Sequence, residues 1–266
     1  MFKGFPKNGF PDKTYPSVRI GNVGAISDND AHLFAINFGI VDHIERQAIY
    51  FLVQELKRAG LWIKMRAIYP MRGSTALSTS GNLCNPARFR ITWLNSPLFS
   101  FTGVLGNGIN QYGNTGFVQS ANLSASNTSF SFYARNSGAG VGIGSLSGAA
   151  QTFMFTQSGG QVINSGVTTT FASAPSNTGL FFSTKGAANT NRAFHNGVLR
   201  AVSGVLVGTA TPANTGILAA LNNTTPVQFC TQECSFAHIG EHLEDAEAAT
   251  FYSIVQQYHS ILGIAV

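Results

Sequence analysis

From residue 56 to residue 232 the chain contains no Asp and no Glu; all eleven carboxylates lie at or before Glu55, or at or after Glu233. Within that span short runs of alternating or continuous apolar residues are separated by Gly- and Asn-rich turns, the signature of strands. The runs are Arg88 to Trp93, Ser129 to Ala134, Val141 to Leu146, Thr152 to Thr156, Leu180 to Ser183, Arg192 to His195 and Val198 to Val202, and Ser235 to Ile239 continues the pattern beyond it. His195-Asn196-Gly197-Val198 is the sharpest local signal, because Asn-Gly accepts the positive φ angles of a two-residue hairpin turn. Many short strands at such spacing indicate a sandwich or barrel. Charged residues make up only 10% of the chain, whereas 44% are hydrophobic, so a sheet-and-turn protein with an ordered core is expected. The 266 residues suffice for one large domain with a smaller appendage.

The flanks read differently. Residues 1–26 form an extended arm: Gly4-Phe5-Pro6 is echoed by Gly9-Phe10-Pro11, Tyr15-Pro16 follows, and prolines this close hold the backbone extended or turning. Its aromatics Phe2, Phe5, Phe10 and Tyr15 need a covering surface, on this domain or a neighbour, and make the arm a candidate assembly element. Residues 27–60 are predicted helical. Ser27 and Asp30 resemble a capping box before Ala31, Phe34, Ala35 and Phe38. Asp42 and Glu45 then open a longer helix with a stripe of Ile44, Ala48, Leu52, Leu56 and Ala59, ended by Gly60. The sandwich is expected over 61–266. It begins with a strand from Leu61 to Pro70, with Ile63, Met65 and Ala67 on one side and Lys64 and Arg66 on the other. It ends with a helix from Glu244 to Leu262, striped by Ala248, Phe251, Val255, Tyr258 and Leu262.

The acid-free span restricts the chemistry. A sandwich glycosidase needs two carboxylates, and Glu233 alone cannot fill both roles. Calcium sites favour carboxylate oxygens, which the span lacks. Cys230, Cys234, His238 and His242 recur every fourth residue, a spacing that would align metal ligands on a helix. On a strand, however, four residues cover about 13 Å, too far for one ion. A nucleophilic triad has no support, since His195 is the lone histidine between His43 and His238 and sits at a hairpin. No phosphate-cradling loop or zinc-finger pattern is present. The sequence therefore predicts no catalytic residue, no metal and no cofactor, and the chain is read as not being an enzyme. With Cys84, Cys230 and Cys234 as the cysteines, no disulfide framework is implied and a reducing compartment fits.

A net charge of +5 leaves a neutral to basic middle that suits acidic partners such as nucleic acid, anionic glycans or an acidic neighbouring subunit, or reflects only low charge density on a packed surface. Nucleic acid is the least expected of these. Lys64, Arg66, Arg88 and Arg90 would form a basic face if their two strands pair, or else a solvated edge. The most apolar stretch, Val205 to Leu221, is broken by Gly208, Pro212, Asn214 and Gly216, so no membrane insertion is expected.

Several separated segments together carry a resemblance: Asp28-Asn29-Asp30-Ala31, residues 53–62 (Val53 to Trp62), residues 64–70 (Lys64 to Pro70), Asn82-Leu83-Cys84-Asn85-Pro86, and Ser235-Phe236-Ala237-His238-Ile239-Gly240 with the helix after it. From Asn29 to the end the chain resembles bacteriophage structural (virion) proteins with a concanavalin A-like or laminin-G-like sandwich. The resemblance implies a mainly β, concanavalin A-like jelly-roll β-sandwich with an N-terminal helical segment and a C-terminal helix. It also implies a virion component, namely a capsid decoration, head-fibre or tail-associated subunit, assembled in the bacterial host cytoplasm. Such a subunit acts through contacts with other phage virion proteins and as a homo-oligomer. The alternative is a receptor-recognition module that binds a host surface glycan through aromatic and Asn side chains.

Overall fold

The computed structural model describes residues 28–266; the expected arm with Phe2, Phe5, Phe10 and Tyr15, and the expected cap Ser27, lie outside the described residues. The chain opens with helices α1 (Asn29–Asn37) and α2 (His43–Arg58), then strand β1 (Met65–Tyr69) and the single turn α3 (Ala76–Thr79). Next come β2 (Thr92–Leu94), β3 (Leu98–Phe99), β4 (Val104–Leu105), β5 (Tyr112–Val118) and the turn α4 (Gln119–Asn122). Then follow β6 (Thr128–Ala134), β7 (Val141–Ser147), β8 (Ala150–Phe155), β9 (Gln161–Asn164), β10 (Val167–Thr170), β11 (Gly179–Lys185), β12 (Asn191–His195) and β13 (Val198–Val202). The remainder is β14 (Asn214–Ile217), β15 (Ala220–Asn222), β16 (Thr225–Val227), β17 (Glu233–Gly240) and helix α5 (Asp245–Ile261).

The strands form two sheets. One runs β13-β12-β11-β6-β17-β4-β3, with β1 also paired to β17; the other runs β10-β9-β8-β7-β14-β5-β2, with the β15–β16 hairpin attached to β7. Pairing is antiparallel except between β15 and β7. The chain is thus a mainly β sandwich with an N-terminal helical segment and a C-terminal helix.

Alternation along the central strands explains the layering. In β6, Phe130, Phe132 and Ala134 point into the core between the sheets, while Tyr133 joins a second core that contains Phe34, Leu52, Leu56, Phe251 and Val255 of the helices. Phe181 and Phe182 of β11, and Ala193 and Phe194 of β12, divide the same way. The eight-stranded sheet is therefore buried on both faces, which is why β6 and β11 are buried at every position. Each such Phe or Leu contributes about 1.5–3 kcal/mol as an upper bound. In β17 a bulge between Cys234 and Phe236 slips the register.

Local expectations were corrected in several places. The α1 cap is Asp28, whose carboxylate accepts the N–H groups of Asp30 at 3.0 Å and Ala31 at 3.4 Å. The buried face of α2 is Ala48, Ile49, Leu52, Val53 and Leu56; Ile44, in its first turn, is 51% exposed and Ala59, its C-cap, is exposed. Residues Trp62–Lys64 form a 3-10 turn, so Ile63 faces solvent and the strand starts only at Met65. Residues 88–91 are irregular, leaving Thr92–Leu94 as strand. Strands β3, β4, β5, β9, β10, β14, β15 and β16 are not among the strands expected from the sequence.

Candidate functional site

The acid-free span finds its carboxylates in the chain's own flanks. Lys64 pairs with Glu247 at 2.5 Å, Arg66 with Glu241, and Arg192 with Asp245. Lys57 reaches both Asp28 and Asp30, at 2.8 and 2.6 Å. Burial raises the Glu247 carboxyl, but the Lys64 ammonium and the Glu244 N–H outweigh it and hold the group below its usual range. The expected basic face does not form as drawn, because β1 pairs with β17 and not with the segment that carries Arg88 and Arg90. Arg88 lies over the Phe89 ring and Arg90 over the Phe38 ring, 4.7 and 5.0 Å from the centroids.

The four regularly spaced Cys and His residues are not brought together. Cys230 and Cys234 are buried, and burial pushes the Cys230 thiol up to about 12. His238 lies between Ser131 at 2.6 Å and Ser129 at 3.1 Å, while His242 contacts Thr184 and Glu244. Among the described residues no three His, Cys, Asp or Glu side chains converge as metal ligands. Glu233 Oε1 accepts the hydroxyls of Ser100, at 3.0 Å, and Thr102.

Two open clefts lie at opposite ends of α5, a 17-residue helix and hence separated by about 25 Å. The first, of about 410 Å³, is bounded by the α1–α2 turn, the loop after β1, Phe101 and the α5 cap residue Leu262. Asp42 and Glu45 reach it from the start of α2, where Asp42 caps the helix by accepting the Glu45 N–H at 2.9 Å. Glu45 Oε1 in turn accepts the N–H of Gly73 at 3.1 Å. That loop carries positive φ angles at Met71, Gly73 and Ser74, and a Cβ on Gly73 would meet Ser78 Cβ at 2.4 Å. It is held by Arg72, wholly buried, whose guanidinium donates to the carbonyls of Pro70 (2.9 Å), Phe101 (2.6 Å), Thr102 (3.1 Å) and Ser235 (3.3 Å). Phe101 is 68% exposed at the rim, beside Val41 and Ile44.

The second cleft, of about 510 Å³, lies between the loop after β11 and the start of α5. Its polar groups are already engaged: Arg192 pairs with Asp245, and His242 lies 3.2 Å from the Glu244 carboxylate. Gly186 is required there, since a Cβ would sit 2.7 Å from the His242 ring. The first cleft differs in presenting an aromatic ring together with polar acceptors. Sequence reasoning placed Asp42 and Glu45 only as helix starters, and it passed over Arg72, Gly73, Ser74 and Phe101. No local pattern marks those four; topology alone assembles them.

No helix among the described residues is long and apolar enough to cross a membrane. No protein-family model matches the chain. No curated protein matches it. Similarity to solved structures is confined to the fold. A botulinum neurotoxin type C structure, from a toxin whose uptake by cells depends on interaction with two ganglioside molecules, shares 11% identity at a TM-score of 0.50, over 75% of this chain and 53% of that one. Domain 4 of AbnA, an extracellular arabinanase of Geobacillus stearothermophilus solved with arabinotriose, shares 12% at 0.43, over 71% and 98%. A mutant Trypanosoma rangeli sialidase displaying trans-sialidase activity shares 10% at 0.45, over 81% and 39%. The chain spans about half the length of the neurotoxin structures it resembles. The fold is a jelly-roll-like β-sandwich.

Proposed function

We propose that the protein is a glycan-binding module of β-sandwich type, without catalytic activity, and that the cleft beside Phe101 takes the sugar. The observation that carries this reading is the juxtaposition of an exposed aromatic ring with Asp42, Glu45 and Ser74 in one cleft of about 410 Å³. A sugar offers a C–H face to an aromatic ring and hydroxyls to carboxylates, and sites of this kind combine an apolar wall with a few fixed polar groups. The non-catalytic reading rests on what the two carboxylates already do: Asp42 caps α2 and Glu45 holds Gly73. The test is a glycan array followed by titration of the strongest hit against the Phe101→Ala variant. Retention of a glycan by the wild type, with at least about tenfold weaker binding by the variant at an unchanged melting temperature, supports the reading. No retained glycan, equal binding by F101A, or sustained release of reducing sugar overturns it.

A second reading, a subunit of a bacteriophage particle assembled in the host cytoplasm, draws on the resemblance above and on one feature of the surface. The outer strand β13 and the segment after it expose Val198, Leu199, Val202, Val205, Leu206 and Val207. An apolar edge strand of this kind is a ready pairing surface for a second copy or another virion protein. Light scattering of wild type and of a Val205→Lys, Val207→Lys variant tests it. A wild-type oligomer that the variant dissociates supports this reading, and a monomer that also fails to bind phage particles removes it.

A further inference from the structure

The cationic composition of the chain suggests anionic ligands, but the cleft beside Phe101 is built the other way. We propose that this cleft selects uncharged glycans and rejects those bearing a carboxylate or sulfate, an inference that rests on the glycan-binding reading above.

Two features of the cleft carry it. First, its solvent-facing charges are both negative. Asp42 is exposed and Glu45 half-buried, and each spends lone pairs of one oxygen on a backbone N–H. A carboxylate has about four acceptor sites on two oxygens, so each retains capacity for a ligand hydroxyl. Second, the one cation lining the cleft among the described residues, Arg72, is unavailable to a ligand. It is fully buried, and its Nε, Nη1 and Nη2 atoms make four bonds to carbonyl oxygens. A guanidinium presents five N–H donors, so four are committed to the loop backbone, and a forked bond to a ligand carboxylate would require the loop to come apart. An anionic sugar entering here would meet two like charges and, among the described lining residues, no free cation, whereas a neutral sugar donates its hydroxyls to the same oxygens.

The experiment compares matched probes on the full chain by titration: lactose with sialyllactose, and neutral dextran with dextran sulfate, alongside the strongest neutral hit of the array and its uronate or sulfated counterpart. The expected result is that each bound neutral glycan loses at least about tenfold in affinity when it acquires the anionic group. An Asp42→Asn, Glu45→Gln double variant, which keeps an acceptor for each backbone N–H, should narrow that gap to about threefold or less. Equal or tighter binding of the anionic member of a pair by the wild type overturns the selectivity, as does a gap that the double variant leaves unchanged. Phe101→Ala separates the two levels of the argument. If F101A weakens every glycan while the wild type shows no preference between members of a pair, the site stands and its selectivity falls. If no probe binds, or F101A has no effect, both fall together.

Discussion

Ser235 Oγ donates to Nε2 of His259 at 2.9 Å, across the seam between β17 and α5. The direction follows from the other ring nitrogen: His259 Nδ1 lies 2.8 Å from the carbonyl of Val255 and must carry the proton. His238, in β17 itself, is held in the opposite tautomer. Ser129 gives its hydroxyl proton to the Glu241 carbonyl at 2.6 Å, so His238 Nε2–H donates to Ser129 and Nδ1 accepts from Ser131. Both imidazoles are buried against aromatic rings, Tyr133 for His259 and Phe251 for His238, and burial holds each down to about 3.

Acid should therefore loosen the seam. An unfolded histidine binds a proton below about 6.5, whereas these two do not until about 3, so between those values the unfolded state holds more protons and stability falls as pH falls. The slope is up to about 1.4 kcal/mol per pH unit for each histidine, and His195, lowered by burial, adds to it. Melting temperatures measured from pH 7.5 to pH 4 should drop steadily. A His238→Gln, His259→Gln variant should start lower and fall less. A flat wild-type profile would refute this assignment.

Removing the buried guanidinium should be costly. Arg72→Met leaves four carbonyls without their donor, and Arg72→Lys supplies charge without the fork. Urea unfolding should show a loss on the order of 3 kcal/mol or more for each variant, and a loss below 1 kcal/mol would mean that water takes over the carbonyls.

The β12–β13 turn should resist substitution. Asn196 and Gly197 have φ of 50° and 73°, Asn196 Oδ1 accepts the Leu180 N–H at 2.8 Å, and a Cβ on Gly197 would lie 2.6 Å from the Tyr252 ring. Gly197→Val should cost about 2 kcal/mol or more, and Asn196→Ala about 1 kcal/mol, by the same unfolding assay.

Thiol chemistry gives an independent readout of burial. Burial pushes all three thiols up, Cys230 to about 12, so thiolate is scarce at pH 8. A chromogenic disulfide reagent should label neither Cys230 nor Cys234 rapidly in the native protein, Cys84 being half-buried, and all three in urea. Fast native labelling of Cys230 or Cys234 would contradict the packing.

What could be read in advance depended on how local its cause was. The Asn196-Gly197 turn and the face of α5 through Ala248, Phe251, Val255 and Tyr258 were legible, because a two-residue turn and a helical period are decided within a few residues. Strand β5 was not, since Gly113, Asn114 and Gly116 interrupt its pattern and its place is fixed by pairing with β2 and β14. The stretch from Val205 to Leu221 reads in the sequence only as an apolar run too broken to insert in a membrane, yet it divides into an exposed loop and the buried β14 and β15, a division set by which part reaches β7. The cleft could not be read at all: Asp42, Arg72, Phe101 and Leu262 meet only after the eight-stranded sheet and the helix layer have assembled.

None of the nine strands in the second sheet carries an Asp, Glu, Lys, Arg or His, whereas the carboxylates among the described residues lie in the helical segment or along β17 and the start of α5. The molecule consequently has one side that responds to dissolved salt and one that does not. Contacts made through the helix layer will weaken as the screening length shortens from about 30 Å in dilute buffer to about 3 Å in molar salt. Contacts made through the strands of the second sheet contain no fixed charge to screen. Ionic strength can therefore tell which side of the protein a given partner touches before any contact residue is known.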